Sequence, residues 1–187
     1  MILPVLLILV FGMLDFGLAF SDKLTLGNAT REGTRIGSAL VTGSSTPCTG
    51  DPSAVDVTII ASIQNILRSS GSNLDMGHIV SIRIFRANAA GKAVGGDVNV
   101  WQYTPGSGPD ADPGPGTEKL DFSPSSVAWP ACRRDNNINA PDSLGVSIDY
   151  QYRLQTPLGA ILAFLGGRTE ASMAIADDTV MALNPTN

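Results

Sequence analysis

The feature that most constrains this chain is the apolar run with which it opens. Residues 1–20, MILPVLLILVFGMLDFGLAF, contain sixteen apolar residues and one charge. As a helix rising about 1.5 Å per residue, this run covers roughly the 30 Å hydrocarbon core of a bilayer. A cleaved secretory signal is the alternative, since small residues precede Phe20, but no basic segment leads the run. The sequence therefore predicts a transmembrane helix over residues 1–20.

Asp15 is the single ionisable residue of this run. A carboxylate in a bilayer is costly, so it usually lies near the interface or faces a partner. Asp15 lies about five residues from the end of the run, which favours an interfacial carboxylate. The functional alternative is a contact with a neighbouring subunit.

The run continues without a proline into SDKLTLGNATREGTRIGSALV, whose apolar residues recur at helical spacing. This pattern predicts one helix from about Leu3 to about Val41, with residues 21–43 forming a stalk. Ala29, Gly33 and Gly37 recur every four residues and form a strip of small residues that another backbone can approach closely. The strip serves either the chain's own domain or an assembly surface.

Residues 44–187 predict an α+β domain with a small antiparallel sheet packed against helices. Asp51-Pro52 begins an amphipathic helix, SAVDVTIIASIQNILRSS. The runs HIVSIRIF, DVNVWQY and VSIDYQYR predict strands. Thr156-Pro157 begins a short helix, and a last strand over about 169–183 is expected, with a break at Asp177-Asp178 as an option.

An irregular excursion over about 104–143 separates the second predicted strand from the third. PGSGPDADPGPGTE at 105–118 contains four Pro and four Gly, which excludes regular structure. Its alternating carboxylates, Asp110 and Asp112, are weak candidates for calcium ligands, because Pro115 stands where a calcium loop requires glycine. A solvated acidic loop is an equally good interpretation, so no metal and no cofactor are predicted.

The two cysteines indicate the compartment. Cys48, at the end of the stalk, and Cys132, before the strand VSIDYQYR, are predicted to form a disulfide, with two buried thiols as the alternative. Separated cysteines in a weakly charged, Gly- and Pro-rich domain fit an oxidising compartment better than the cytosol. The bulk of the chain is therefore expected outside the cytoplasm.

Several function classes are disfavoured. A net charge of −5 and a pI near 4.6 would repel nucleic acid. Two Cys and one His are too few for a four-ligand zinc site. GVSID at 145–149 lacks the last glycine of a hydrolase nucleophile elbow. The tryptophans and tyrosines allow a glycan-binding surface, although aromatic residues in alternating strands are usually core.

The N-terminal segment resembles the TadE-like pseudopilins of tight-adherence (type IVc, Flp-type) pilus systems. The similar residues are Leu3-Pro4 at the start of the apolar run, the step Asp15-Phe16-Gly17, and the motif Asn28-Ala29-Thr30-Arg31-Glu32-Gly33-Thr34-Arg35. The likeness is specific over residues 1–43, moderate at the C-terminal end, and only in outline over residues 44–140. No residue here matches the family's processing site, a glycine followed by an acidic-Phe pair before Leu-Pro.

The resemblance implies a non-enzymatic, single-pass pilin-like subunit that acts by assembly. Its partners would be other pilin-like subunits, the pilus assembly machinery and membrane lipid, in a homo- or hetero-oligomer. Its location would be the inner membrane, with the C-terminal domain outside the cytoplasm, or an extracellular filament. The alternative from another class is a membrane-tethered or secreted binding module for calcium or glycan.

Overall fold

The computed structural model describes residues 2–40, 54–69, 74–111, 118–157, 159, 163–164 and 172–184. In chain order these form helices α1 (Leu3–Leu40) and α2 (Ala54–Leu67), then strands β1 (Ile79–Ala87), β2 (Ala93–Tyr103), β3 (Phe122–Val127), β4 (Ser143–Arg153) and β5 (Ser172–Ala182). The strands form one antiparallel sheet of order β3-β2-β1-β4-β5. The predicted α+β class with a long N-terminal helix is confirmed.

Helix α1 is continuous over 38 residues, a length of about 57 Å. The predicted continuity from Leu3 is confirmed as far as Leu40, and Val41 lies outside the described residues. No proline follows Pro4 in this stretch, so every later backbone N–H is available to the helical ladder. The long helix is therefore one rod that serves both the apolar run and the stalk.

Both helices pack against one face of the sheet, and the core lies between them. The alternation predicted for β4 is observed, because Val146, Ile148, Tyr150 and Tyr152 are all buried. Ile59 and Ile63 of α2 meet this face and are fully buried. The opposite face carries ion pairs, such as that of Arg83 of β1 with Asp149 of β4 at 3.1 Å.

The strip Ala29, Gly33 and Gly37 packs within the chain. A Cβ on Gly33 would lie 2.8 Å from Cδ1 of Ile63, and a Cβ on Gly37 would lie 2.7 Å from Cδ1 of Ile59. Ala29 is fully buried. The small residues thus let α2 approach α1 closely, and the assembly-surface interpretation of this strip does not hold.

The interval 104–143, predicted to be irregular, contains strand β3. The strand FSPSSV lacks alternation and carries Pro124, two features that argue against a central strand. It is an edge strand that pairs with β2 alone, and its register shifts between Val100 and Trp101, the latter being the partner of Pro124.

Strand β5 is unbroken at the position where the sequence allowed a break. Asp177 pairs with Ile148 and Asp178 with Ser147.

Other predictions fall partly outside the described residues. Cys48 and Asp112 are among those left undescribed, so the disulfide from Cys48 to Cys132 stays a prediction. The helix after Thr156-Pro157 is described at only a few positions. Asp110 forms an isolated bridge with Lys119, which places it at the base of the loop.

The aromatic residues proposed for a glycan surface are mostly core. Trp101, Trp129, Tyr150 and Tyr152 are at most 4% exposed, so they cannot offer ring faces to a sugar, and that expectation is wrong for these four. Tyr103 is half-buried and packs edge-on against Phe122, with ring centroids 5.6 Å apart.

A buried polar network stands beside these rings. Asp56 of α2 pairs with Arg134 at 2.5 Å, and both side chains are fully buried. The amide of Asn99 donates to Asp56 and to the Trp129 carbonyl, each at 2.8 Å. Burial raises the pKa of the Asp56 carboxyl, and the Arg134 guanidinium and the Asn99 amide oppose that shift. The network ties α2 and β2 to the segment that carries Cys132.

We expect Gly37→Leu to lower the free energy of unfolding by about 1–3 kcal/mol, the usual cost of overpacking a filled core. The added side chain would meet Ile59 and Leu144, whose nearest atoms lie 2.7 and 3.1 Å from the position of its Cβ. Thermal unfolding of the full chain in detergent, followed by circular dichroism, measures the effect.

The matched control is Gly17→Leu, because a Cβ at Gly17 of the same helix meets nothing within 4 Å. We expect this variant to unfold at or above the temperature of the unsubstituted chain. Equal melting temperatures for the two variants would contradict the packing described for Gly37.

Candidate functional site: the N-terminal helix

The first third of α1 is an exposed apolar surface. Its large side chains, between 42% and 82% exposed, are Ile2, Leu3, Val5, Leu6, Leu7, Ile8, Leu9, Val10, Met13 and Leu14. Among the described residues, α1 is the one helix long and apolar enough to cross a membrane. An apolar surface of this extent marks a membrane or protein contact.

Among the described residues, the first hydrogen bonds between α1 and the rest of the chain are made by Asp15, which is 5% exposed. Its carboxylate accepts hydrogen bonds from the backbone N–H of Gln155 at 3.1 Å and of Thr156 at 3.3 Å, and from the Thr156 hydroxyl. The hydroxyl of Tyr152 donates to the Asp15 carbonyl at 3.2 Å. The carboxylate is thus held by the segment after β4, a partner within the chain that the sequence did not suggest, and its position relative to the membrane interface stays a prediction.

Asp22 makes a second contact, two turns further along α1. Its carboxylate is 4% exposed and accepts from the Tyr150 hydroxyl at 3.3 Å. Burial, and next the Asp22 charge, raise the pKa of Tyr150 above its usual range, so this hydroxyl remains a donor at physiological pH.

A third contact, which we name the β5 clasp, joins Lys23, Thr30 and Thr34 of α1 to Asp177 and Thr179 of β5. Lys23 pairs with Asp177 at 3.1 Å, and the Thr30 hydroxyl donates to Asp177 at 2.7 Å. Thr34 donates to the Thr179 carbonyl at 3.3 Å. Sequence reasoning missed the clasp, because its two halves are about 150 residues apart and neither forms a motif.

The contacts advance along α1 and β5 in the same direction. Met173 lies opposite Tyr152, which reaches Asp15, and the N–H of Asn184 donates to the Ser38 carbonyl at 3.0 Å. From Asp15 to Ser38 the helix rises about 35 Å, and from Met173 to Asn184 an extended chain spans about 36 Å. The helix and the edge strand therefore run parallel, and the two segments between these contacts span nearly the same distance.

The remaining residues singled out from the sequence divide between two faces. Phe16 is 73% exposed, and the surroundings of Gly17 are open. Asn28, Arg31 and Arg35 are exposed. Glu32 accepts a bidentate pair of hydrogen bonds from Arg35, at 2.8 and 2.6 Å. The charged residues of the motif thus face outward, while its small residues face α2.

This architecture is an apolar N-terminal helix whose distal part is built into an α+β head, here residues 54–184 as far as they are described. The family model described as TadE-like protein matches residues 1–35, which confirms the resemblance over that segment. No curated protein and no solved structure shows significant similarity to the chain. A TadE-like segment indicates a component of a pilus-related system and interaction with other pilus components.

We expect Asp15→Ala to loosen the segment after β4 without unfolding the sheet. Each hydrogen bond to a charged group contributes about 1.5–3 kcal/mol, so the amides of Gln155 and Thr156 should exchange roughly ten- to a hundredfold faster. Hydrogen exchange followed by mass spectrometry or NMR measures both amides directly.

Asp75→Ala is the matched control, because the Asp75 carboxylate accepts from the N–H of Gly77 at 2.8 Å and belongs to another turn. It should leave exchange at residues 155 and 156 unchanged. Unchanged exchange in Asp15→Ala as well would show that Asp15 does not hold this segment.

Proposed function

We propose that this protein is a non-enzymatic, pilin-like subunit that assembles through its N-terminal helix into a tight-adherence, type IV-related pilus, or helps to assemble one. The observation that carries the proposal is the exposed apolar surface of residues 2–14, which has a TadE-like sequence and continues as one helix into a folded head.

Either a membrane or a filament can cover that apolar surface. Side chains such as Ile2 and Leu3, at 82% and 71% exposed, are unfavourable in water. A membrane supplies acyl chains, and a filament supplies the apolar helices of neighbouring subunits. Transfer from membrane to filament then replaces one apolar environment with another, so that helix packing decides between them.

The head would lie outside the cytoplasm, either at the inner membrane or on the filament. Support comes from the two separated cysteines and the disulfide predicted between them, because disulfides form and persist in oxidising compartments. The predicted disulfide would close the connection between α1 and the head.

The outward face of the family-like motif is the proposed contact for other pilus components. Asn28 and Arg31 are exposed, and the Glu32–Arg35 pair beside them fixes the charges in place. Pairs of this kind contribute little to stability at the surface, so their value would lie in recognising a partner.

A binding module for calcium or glycan is less well supported. The rings of Trp101, Trp129, Tyr150 and Tyr152 are buried and therefore unavailable to a sugar. Within the described ranges, no group of three or more His, Cys, Asp or Glu side chains is arranged to hold a metal. Asp121, the other carboxylate near the loop, already accepts from Arg68 at 2.6 Å and from the N–H of Gly106 at 2.9 Å.

We expect Leu9→Lys to abolish recovery of the protein in sheared surface filaments and to reduce its retention in the membrane. Leu9 is 54% exposed, and a lysine near the centre of a membrane helix costs about 3 kcal/mol. The head should keep its melting temperature in detergent, because the Leu9 side chain is exposed and lies before the first described hydrogen bonds between α1 and the head, at Asp15.

The control is Leu24→Lys, which adds the same charge to the same helix at a side chain that is 55% exposed but lies beyond the apolar run. We expect normal filaments and normal membrane retention. Filaments at the unsubstituted level with Leu9→Lys would refute the proposed role of the apolar helix.

A further inference from the structure

The apolar run and the head overlap along α1. Exposed apolar side chains continue past Leu14 to Phe16 and Phe20, which are 73% and 56% exposed. The contacts of the head, however, already begin at Asp15. Over residues 15–20, about 9 Å of helix, the same stretch is both part of the predicted span and part of the folded head.

Strand β5 begins at this level. Met173 is the register partner of Tyr152, and the Tyr152 hydroxyl contacts the backbone of Asp15. Met173 is 46% exposed. An exposed apolar side chain of the head therefore stands beside the end of the apolar run, at the same height along α1.

A groove opens between these elements, which we name the α1–β5 groove. It has a volume of about 320 Å³ and is lined by Phe16, Ala19, Phe20, Lys23 and residues 173–176 of β5. Its lining is apolar except at Lys23, where the polar sequence Ser21-Asp22-Lys23 follows the apolar run. The groove thus has an apolar body and a polar end, where Lys23 pairs with Asp177.

We propose that membrane lipid fills the α1–β5 groove, so that the rim of the head around Phe16, Phe20 and Met173 is immersed in the bilayer interface. The inference rests on the proposed membrane anchorage of α1 and adds to it how deep the head sits. Exposed apolar side chains recur along α1 from Leu3 to Phe20. If lipid surrounds the helix as far as Phe20, it therefore also reaches the side chains of the head that lie beside residues 15–20.

The polar residues at this level fit the proposal. The Asp15 carboxylate is buried and accepts three hydrogen bonds within the chain, so it presents no bare charge to lipid. Lys23 stands at the aqueous end of the groove, where its ammonium is already paired with Asp177 of the β5 clasp at 3.1 Å, so this end of the groove presents no unpaired charge to lipid either. Acyl chains would contact the apolar body below it.

The test places a nitroxide spin label on Met173→Cys in the full chain. The labelled protein is reconstituted at a low ratio of protein to lipid in vesicles of phosphatidylethanolamine and phosphatidylglycerol. Labels on Val10→Cys, within the apolar run, and on Ser126→Cys, an exposed position on β3, are the lipid and water references. Power saturation compares access of oxygen, which concentrates in lipid, with access of a water-soluble nickel chelate. The unsubstituted chain, labelled in parallel, gives any background from Cys48 and Cys132.

We expect the label at residue 173 to resemble that at residue 10, accessible to oxygen and shielded from nickel, while residue 126 shows the reverse. Nickel access at 173 equal to that at 126, with residue 10 still shielded, would overturn the lipid-filled groove and leave the anchorage intact. Nickel access at residue 10 would overturn the anchorage itself, and the inference with it. A label at 173 shielded from both reagents until extra lipid is added would mean that a second copy fills the groove, which also refutes the lipid assignment.

Discussion

The close approach of α1 to α2 is the constraint on which the rest of the structure depends. It is possible because Gly33 and Gly37 present no Cβ where the side chains of Ile59 and Ile63 stand. With α2 seated there, both helices cover one face of the sheet, and the strands can bury their apolar residues against them. A larger residue at either glycine would push apart layers that share one core.

This arrangement divides one helix between two environments. Up to Leu14, α1 has the exposed apolar side chains of a membrane or filament helix. From Asp15 onward its inner face consists of small, apolar and hydrogen-bonded residues that are buried in the head. Polar side chains mark the change: Asp15, Asp22 and Thr30 each reach a specific partner on β4, on β5 or on the segment between them. The exposed apolar segment and the structural helix of the head are thus the same element, continuous over residues 3–40.

The sequence predicted those parts of the fold that depend on local periodicity. The unbroken helix, the amphipathic α2 and the alternating strand β4 all follow from the spacing of apolar residues. Strand β3 did not, because Pro124 and three serines in FSPSSV carry no strand signal and its pairing depends on β2. The role of Asp15 was also unpredictable, because its partners at residues 155 and 156 are fixed by tertiary packing. The strip of small residues, Ala29, Gly33 and Gly37, correctly predicted close packing. Its spacing could not identify the partner, because it would be the same for α2 as for another subunit.

The parallel contact between α1 and β5, in which the two elements span nearly the same distance, has a mechanical consequence. The contacts that join this helix to the strand are spread along their common direction. A force along the helix axis is therefore shared by all of these contacts at once, which is the shear geometry. Here the contacts with β5 and the residues just after it run from Lys23 through Thr30 to Ser38, and the Tyr152 hydroxyl of the neighbouring strand β4 adds one at Asp15. A force pulling α1 lengthwise from its N-terminal end must break them simultaneously, whereas a force that peeled β5 sideways would break them one at a time. The head is therefore joined to its helix in the geometry that best resists a pull along the helix axis.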